Sequence, residues 1–409
     1  MMFRHKIALL NVLRNRRRSI ITLLAIQVGV VSLILFGGFV ASMYDGMREN
    51  MIRSQLGHLQ IYQQGFNQYG HIEPEKYLLP KDRMDQIIKL VEAIEGVELV
   101  TPRLDLSGLV TNGSQSIAVV GNGIDPDKEG LLSSAITITA GEDLFPEDSD
   151  GALVGVGLFN ALNAKIGDYL TLMGSTADGA VNAVDIKIVG AINTGIRDVD
   201  NRLVRINLLH AQDLLFTDGT SRLVVLLSDT EQTDTVIAKL NTLFIQEGLS
   251  LEIRSWSQLA EYYHEVVNLF DGVFGFIKII VLFIAALSIA NTMMMAVMER
   301  TPEIGSIRAL GATRHEVLML FLTEAFYLGI FGSLLGVVMG ILMANGITVS
   351  EFMMPTPPGS SQSYPVRIFV EWTVLWQTAL TGVVVAVLAS IYPAFKASRL
   401  LINQAMRAA

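Results

Sequence analysis

The sequence contains no cysteine, which excludes disulfides, thiol nucleophiles and Cys-ligated zinc or iron–sulfur centres. Charge is also scarce. Only 17% of the 409 residues are Asp, Glu, Lys or Arg, against roughly 25% in soluble domains. The net charge is −9, so the chain offers no basic excess and nucleic acid is not an expected partner. Signatures of nucleotide chemistry are missing. No G-x-x-x-x-G-K-[ST] occurs, and Gly121-Asn122-Gly123 lacks the third glycine and following helix of a dinucleotide loop. His264-Glu265 and His315-Glu316 begin like H-E-x-x-H, but Asn268 and Met319 stand where the second histidine belongs, so neither forms a zinc pair. G-x-S-x-G is absent as well. Asp125, Asp127 and Glu129 read as a solvated turn rather than a calcium site. No catalysis, cofactor or metal is therefore expected of this chain.

What is present is apolar length. Hydrophobic residues make up 51% of the chain, and its mean hydropathy is +0.45. A bilayer core of ~30 Å needs ~20 apolar residues in a helix, and four stretches qualify: 19–44, 272–298 (a stalk leading into the span), 317–347 and 372–391. The first is too long for the apolar part of a signal peptide and no A-x-A site follows, so it reads as a retained anchor. Residues 1–18 carry six Lys or Arg and no acid, and the tail 392–409 carries Lys396, Arg399 and Arg407 with no acid. By the positive-inside rule both termini and the loop 299–316 are expected in the cytoplasm, with the short loop 348–371 outside. Residues 45–271, with 16 basic and 33 acidic residues and a net charge of −17, are expected outside. That acidity reads as solubility.

Residues 1–18 read as an amphipathic helix, with Phe3, Ile7, Leu10 and Leu13 on one side and cations near anionic headgroups. The outer segment mixes two periodicities. Strands are expected at 58–62, 116–120, 169–173, 185–189 and 222–227, and helices at 83–94, 157–162, 209–215 and 233–247, a compact α/β pattern. A subdomain boundary is expected near 112–150. From about Ser257 the chain turns helical and is expected to run unbroken into the second span.

Three features stand out within the spans and the loop between them. Glu324 lies about two turns into the third span, either as a contact to another helix or the loop, or as a side chain paired near the interface. Gly332, Gly336 and Gly340 recur every four residues and mark a close helix-packing face. The loop holds a short helix bounded by Pro302 and Gly311, with Ile304, Ile307 and Leu310 on one face. That element is suited either to lie at the membrane surface or to dock in a groove of a partner.

The string from Glu299 to Val317, ERTPEIGSIRALGATRHEV, closely resembles the coupling loop of FtsX/MacB-type (type VII) ABC transporter permeases. Three further pieces agree in order: Ala8 to Ser19 at the opening, Gly151 to Gly155 with Ile166-Gly167-Asp168 in the outer segment, and Tyr392 to Leu400 at the exit from the fourth span. The family's following Asp-Pro is replaced by Leu401-Ile402. The runs Asp45 to Asn50 and Gly57 to Ile61 are similar to the lipoprotein-releasing LolC/LolE branch. The resemblance implies an α-helical membrane protein of four spans with a large MacB-like α/β domain between the first and second. It implies a permease in the bacterial inner membrane, working as a dimer with a second copy or paralogue and with two copies of a separate ATPase that binds ATP. Glu299, Arg300, Glu303, Ile304, Ile307, Arg308, Leu310 and Gly311 would form the ATPase coupling site. The implied activity is mechanotransmission that extracts a lipoprotein or other amphiphile toward a periplasmic carrier. Tripartite efflux and FtsX-like regulation of cell-wall hydrolases are the alternatives.

Overall fold

The computed structural model describes residues 2–14, 16–70, 72–354 and 365–400. The substituted tail motif Leu401-Ile402 and the Pro355 to Gly359 loop lie outside the described residues. The chain divides into two compact units, one of membrane helices and one formed by residues 46–265.

Among the described residues, four helices are long and apolar enough to cross a membrane. The first-span helix is Arg16–Met51, the second Glu261–Glu299, the third Arg314–Val349 and the fourth Trp372–Ser398. Each covers its expected stretch and extends beyond it. The extension costs little, because polar residues such as Asp45, Arg48 and Glu49 propagate a helix once the apolar part has nucleated it. The second helix starts at Glu261, after the separate short turn Trp256–Leu259. Ala260, at φ −93 and ψ 56, breaks the run that was expected to be continuous from Ser257.

Ile26, Val30 and Ile34 of the first span pack in one core with Ile289, Met293 and Val297 of the second, Phe321, Ala325 and Leu328 of the third, and Leu375 and Ala386 of the fourth. The glycine stripe makes this packing possible. A Cβ on Gly332 would lie 2.8 Å from Ile26, on Gly336 2.7 Å from Val30, and on Gly340 2.9 Å from Ile34. The small-residue face of the third span is thus filled by the first span of the same chain. The N-terminal helix Met2–Arg14 packs its Ala8, Asn11 and Val12 inward, while Leu10, expected on the apolar face, is 56% exposed.

The outer unit is built on one ten-stranded sheet. Its strands are β1 Leu59–Gln63, β2 Val97–Thr111, β3 Ser116–Ile124, β4 Thr137–Gly141 and β5 Gly151–Gly155. They continue with β6 Tyr169–Ser175, β7 Val181–Asn193, β8 Leu203–Asn207, β9 Arg222–Leu227 and β10 Leu251–Ser255. The order is β10-β1-β9-β2-β3-β8-β5-β7-β4, with β6 paired to both β2 and β7. The β3–β8 and β5–β7 pairs are parallel and the rest antiparallel. All five expected strands and all four expected helices are present. The boundary near 112–150 is not: β3 pairs with β2 and β8, and β4 with β7, so the sheet runs across that region. Helices Lys81–Glu92 and Thr233–Gln246 bury Ile87, Val91, Leu240 and Phe244 against β1, β2 and β9. A second core gathers Leu158, Ala211 and Leu214 over β5, β7 and β8.

His58 precedes β1 and is 1% exposed. Its Nδ1 accepts from the Leu227 N–H at 3.0 Å, so Nε2 carries the proton and donates to Thr230 Oγ1 at 3.0 Å. Thr230 in turn donates to Glu49 Oε1 at 2.9 Å. Burial pushes the imidazole down from 6.5 to about 4, with Glu49 and Asp229 opposing and Arg53 and Arg48 assisting. A proton on Nδ1 would also face a backbone N–H.

Two predictions follow from this packing. Gly336→Ala should destabilise the protein by about 1–3 kcal/mol through overpacking against Val30, whereas Gly346→Ala, which meets open space, should be neutral in the same thermal melts in detergent. For His58, the unfolded chain takes up the proton near pH 6.5 and the folded chain only near pH 4. The stability contributed is complete above pH 6.5 and lost as pH falls toward 4, on the order of 3 kcal/mol. Melts between pH 7.5 and 4.5 should show that slope in the wild type and lose it in His58→Gln.

Candidate functional site

The short helix between the second and third spans is Thr301–Ala309. Its sequence explains its limits. Arg300 leaves helical geometry at φ −97 and ψ 13, and Pro302 occupies the first turn, where its missing N–H costs nothing. Glu303 in the first turn and Arg308 in the last complement the helix dipole. Gly311 at φ +104 makes the exit, and Thr313 with Glu316 forms a capping box that starts the third span.

Arg300 organises the site. It is 7% exposed. Its Nη1 donates to Glu324 Oε2 of the third span at 2.9 Å, and its Nε donates to Glu303 Oε2 at 3.1 Å. Its guanidinium lies 5.5 Å from the centre of the Phe321 ring, a cation–π contact. Glu303 also meets Arg14 Nη2 of the N-terminal helix at 2.5 Å. Arg18, at the start of the first span, pairs with Glu299. Arg308 donates to the Leu400 carbonyl beyond the fourth span. Charged groups thus tie the short helix to the N-terminal segment and to the chain after the fourth span, while its flanking residues Glu299 and Arg300 meet the first and third spans.

The apolar face divides in two. Ile304 is 4% exposed and belongs to the membrane core with Val12 and Phe321. Ile307 is 40% exposed and Leu310 89% exposed. The three residues therefore do not form a single free face: Ile304 faces the chain's own core, and Ile307 and Leu310 face away. Glu324, for which two placements were open, is joined to the loop residue Arg300. Arg14 and Arg18, read from sequence as headgroup cations, instead pair with Glu303 and Glu299. A hint was available in the acid-free N-terminus beside a loop with three glutamates, but no sequence rule pairs positions 289 residues apart. Among the described residues no group of three His, Asp or Glu is placed to hold a metal.

Two family models cover most of the chain, the MacB-like periplasmic core domain over residues 19–243 and the FtsX-like permease C-terminal over residues 275–402. The chain belongs to the FtsX/MacB-type family of ABC transporter permeases. The lipoprotein-releasing system transmembrane protein LolC of Neisseria meningitidis is 26% identical, over 96% of this chain and 95% of its own length. The macrolide export ATP-binding/permease protein MacB of Marinobacter nauticus is 26% identical over 80% of this chain and 50% of its own. The crystallised periplasmic region of MacB from Actinobacillus actinomycetemcomitans matches 52% of this chain and 95% of its own at 14% identity, with a TM-score of 0.38. As a permease of this family the chain is a membrane subunit whose work implies an ATPase partner.

The Arg300–Glu324 pair yields a test. Arg300→Met should leave Glu324 buried without its cation and cost about 3 kcal/mol, whereas Arg300→Met with Glu324→Leu should recover most of that loss. Thermal melts in detergent decide it. A double variant no more stable than the single would show that the pair is not what holds the short helix in place.

Proposed function

We propose that this permease passes the ATP-driven movement of a separate ATPase, through Thr301–Ala309, to its membrane helices and outer unit. The movement serves to extract a lipoprotein or a similar amphiphile from the membrane. In this reading both termini and the short helix face the cytoplasm, as the Lys and Arg of residues 1–18 and 392–409 favour. The catalytic ATP chemistry belongs to the partner, in two copies beside two permease protomers.

One observation carries the reading. The short helix is fastened by Arg300, Ile304 and Arg308 on one side and leaves Ile307 and Leu310 uncovered on the other. A helix that only lay on the membrane would need no such fastening, direct or through its flanking residues, to other segments. A lever needs both a grip and a free contact face. The choice of cargo is supported by the near end-to-end likeness to LolC, which takes in 95% of that protein. Efflux with a periplasmic adaptor is the second reading, supported by the MacB of Marinobacter nauticus at the same 26% identity.

Leu310→Ala should remove a side chain that the permease itself does not bury. Enclosed in an ATPase cleft, that side chain contributes roughly 2–3 kcal/mol, a loss of about thirty- to a hundredfold in affinity. Ile307→Ala should act in the same direction with a smaller effect. Permease stability should stay at the wild-type value in both. Co-purification of the ATPase and its rate, at matched permease levels, are the measurements. Wild-type values in the Ile307→Ala, Leu310→Ala double variant would remove the coupling role. Cargo is read separately, by whether photo-crosslinkers on the outer unit capture acylated protein or an adaptor.

A further inference from the structure

The first-span helix does not end at Met51. It continues into a single wide, π-helical turn, Ile52–Leu56, inside the outer unit. Helix ends leave their last carbonyls without intrahelical partners, yet here every carbonyl of the turn is met. Gly57 N–H donates to Ile52 O at 2.9 Å and Ala135 N–H to Arg53 O at 3.1 Å. Arg205 Nη2 donates to Ser54 O at 2.7 Å, Arg103 Nη1 to Gln55 O, and Gln60 Nε2 to Leu56 O at 2.8 Å.

The two arginines come from β8 and β2, on either side of β3, and each is 1% exposed. Glu129, from the helix Pro126–Leu132, binds both, Arg205 Nη1 at 3.1 Å and Arg103 through Nη2. Ser133 Oγ accepts from Arg205 at 2.7 Å and donates to Glu129 at 2.5 Å. The cluster therefore holds two cations and one anion in the interior. That is a poor way to gain stability, since apolar side chains of similar volume serve as well or better. What the second cation gains is a negative partner at the carbonyl end of a helix, and a planar fork that reaches a carboxylate and a carbonyl together.

We propose that Arg103 and Arg205, set by Glu129, are positioning residues that lock the end of the first membrane helix into the outer sheet. Helix end and sheet then move as one body. The proposal rests on the mechanotransmission reading, and it names the joint through which that movement enters the outer unit. Bonds from two strands, their arginines held in turn by Glu129, resist both a pull along the helix axis and a turn about it. A joint made of apolar contacts would permit sliding and rotation.

The test uses the full chain, whose lack of cysteine allows labels to be placed at will. One spin-label pair joins helix to sheet, Gly46→Cys with Lys187→Cys, and a control pair lies within the sheet, Glu98→Cys with Lys187→Cys. Pulsed electron–electron distance measurements in detergent should give narrow distributions for both pairs in the otherwise wild-type chain. Arg205→Met should at least double the width of the helix-to-sheet distribution and leave the control pair narrow. Arg205→Lys, which keeps the charge but not the fork, should fall between, and it carries the test if Arg205→Met does not fold. Unchanged helix-to-sheet width in the folded variants overturns the proposal. So does equal broadening of both pairs, which would make the arginine a fold stabiliser and nothing more. The distances need neither ATPase nor cargo, so this result stands apart from failure of the coupling test on Leu310.

Discussion

The Arg300–Glu324 contact is the constraint from which the membrane unit is arranged. A carboxylate two turns inside an apolar helix is tolerated only if a cation reaches it. Here the cation is fixed at the one residue between the second-span helix and the short helix after it. The pairing therefore decides where the short helix sits: close enough to the third span for Ile304 to enter the core, with Leu310 turned outward. Glu303 extends the same network to Arg14. A displacement of the short helix cannot leave Arg300 behind without exposing two buried charges to a medium that does not solvate them. The cost of leaving one of these charges buried without its partner is what fixes the short helix in place.

Much of this was legible in the sequence because lipid imposes a simple rule. About twenty apolar residues in a row have few other uses, so the four spans and the glycine stripe could be read directly. In the outer unit the strands that were found are those with β-branched runs at a sheet face. The strands that were missed break the usual signals. β2 contains Pro102 and Gly108, residues that argue against a strand interior. β8 is buried on both faces and shows no alternation, and it carries Arg205 where an apolar residue is expected. At the candidate site, spacing identified Ile304, Ile307 and Leu310 as one apolar side but not what covers each of them. That depends on the third and fourth spans folding back, which no local pattern encodes.

The outer unit separates two uses of charge that its composition merges. Its net charge of −17 is a surface property, carried by exposed Asp and Glu that keep a large domain soluble. Its interior holds Arg103 and Arg205 clustered on Glu129, with Asp200 buried apart from them. Burial pushes the Glu129 carboxyl up, but the charges of Arg103 and Arg205 and the hydrogen bond from Ser133 hold it below its usual range. A sequence count of charge, taken over the whole segment, does not show which of those charges are buried.

Arginine rather than lysine appears at each of these places for the same geometric reason. Arg300 serves two carboxylates on different helices and an aromatic face at once, through separate edges of one planar group. Arg205 serves a carboxylate, a hydroxyl and a carbonyl. A lysine ammonium carries the same charge on a flexible stem, but as a point charge it has no flat face to lay on a ring and no fixed fork to set the angle between its partners. In both cases what is held is an angle as well as a distance, and it is held at the end of a helix. A helix conveys rotation as well as translation only if its ends are fixed in angle. The residue chemistry at Arg300 and Arg205 therefore bears on which motions each helix end can pass on, and the buried charge is the cost of fixing them.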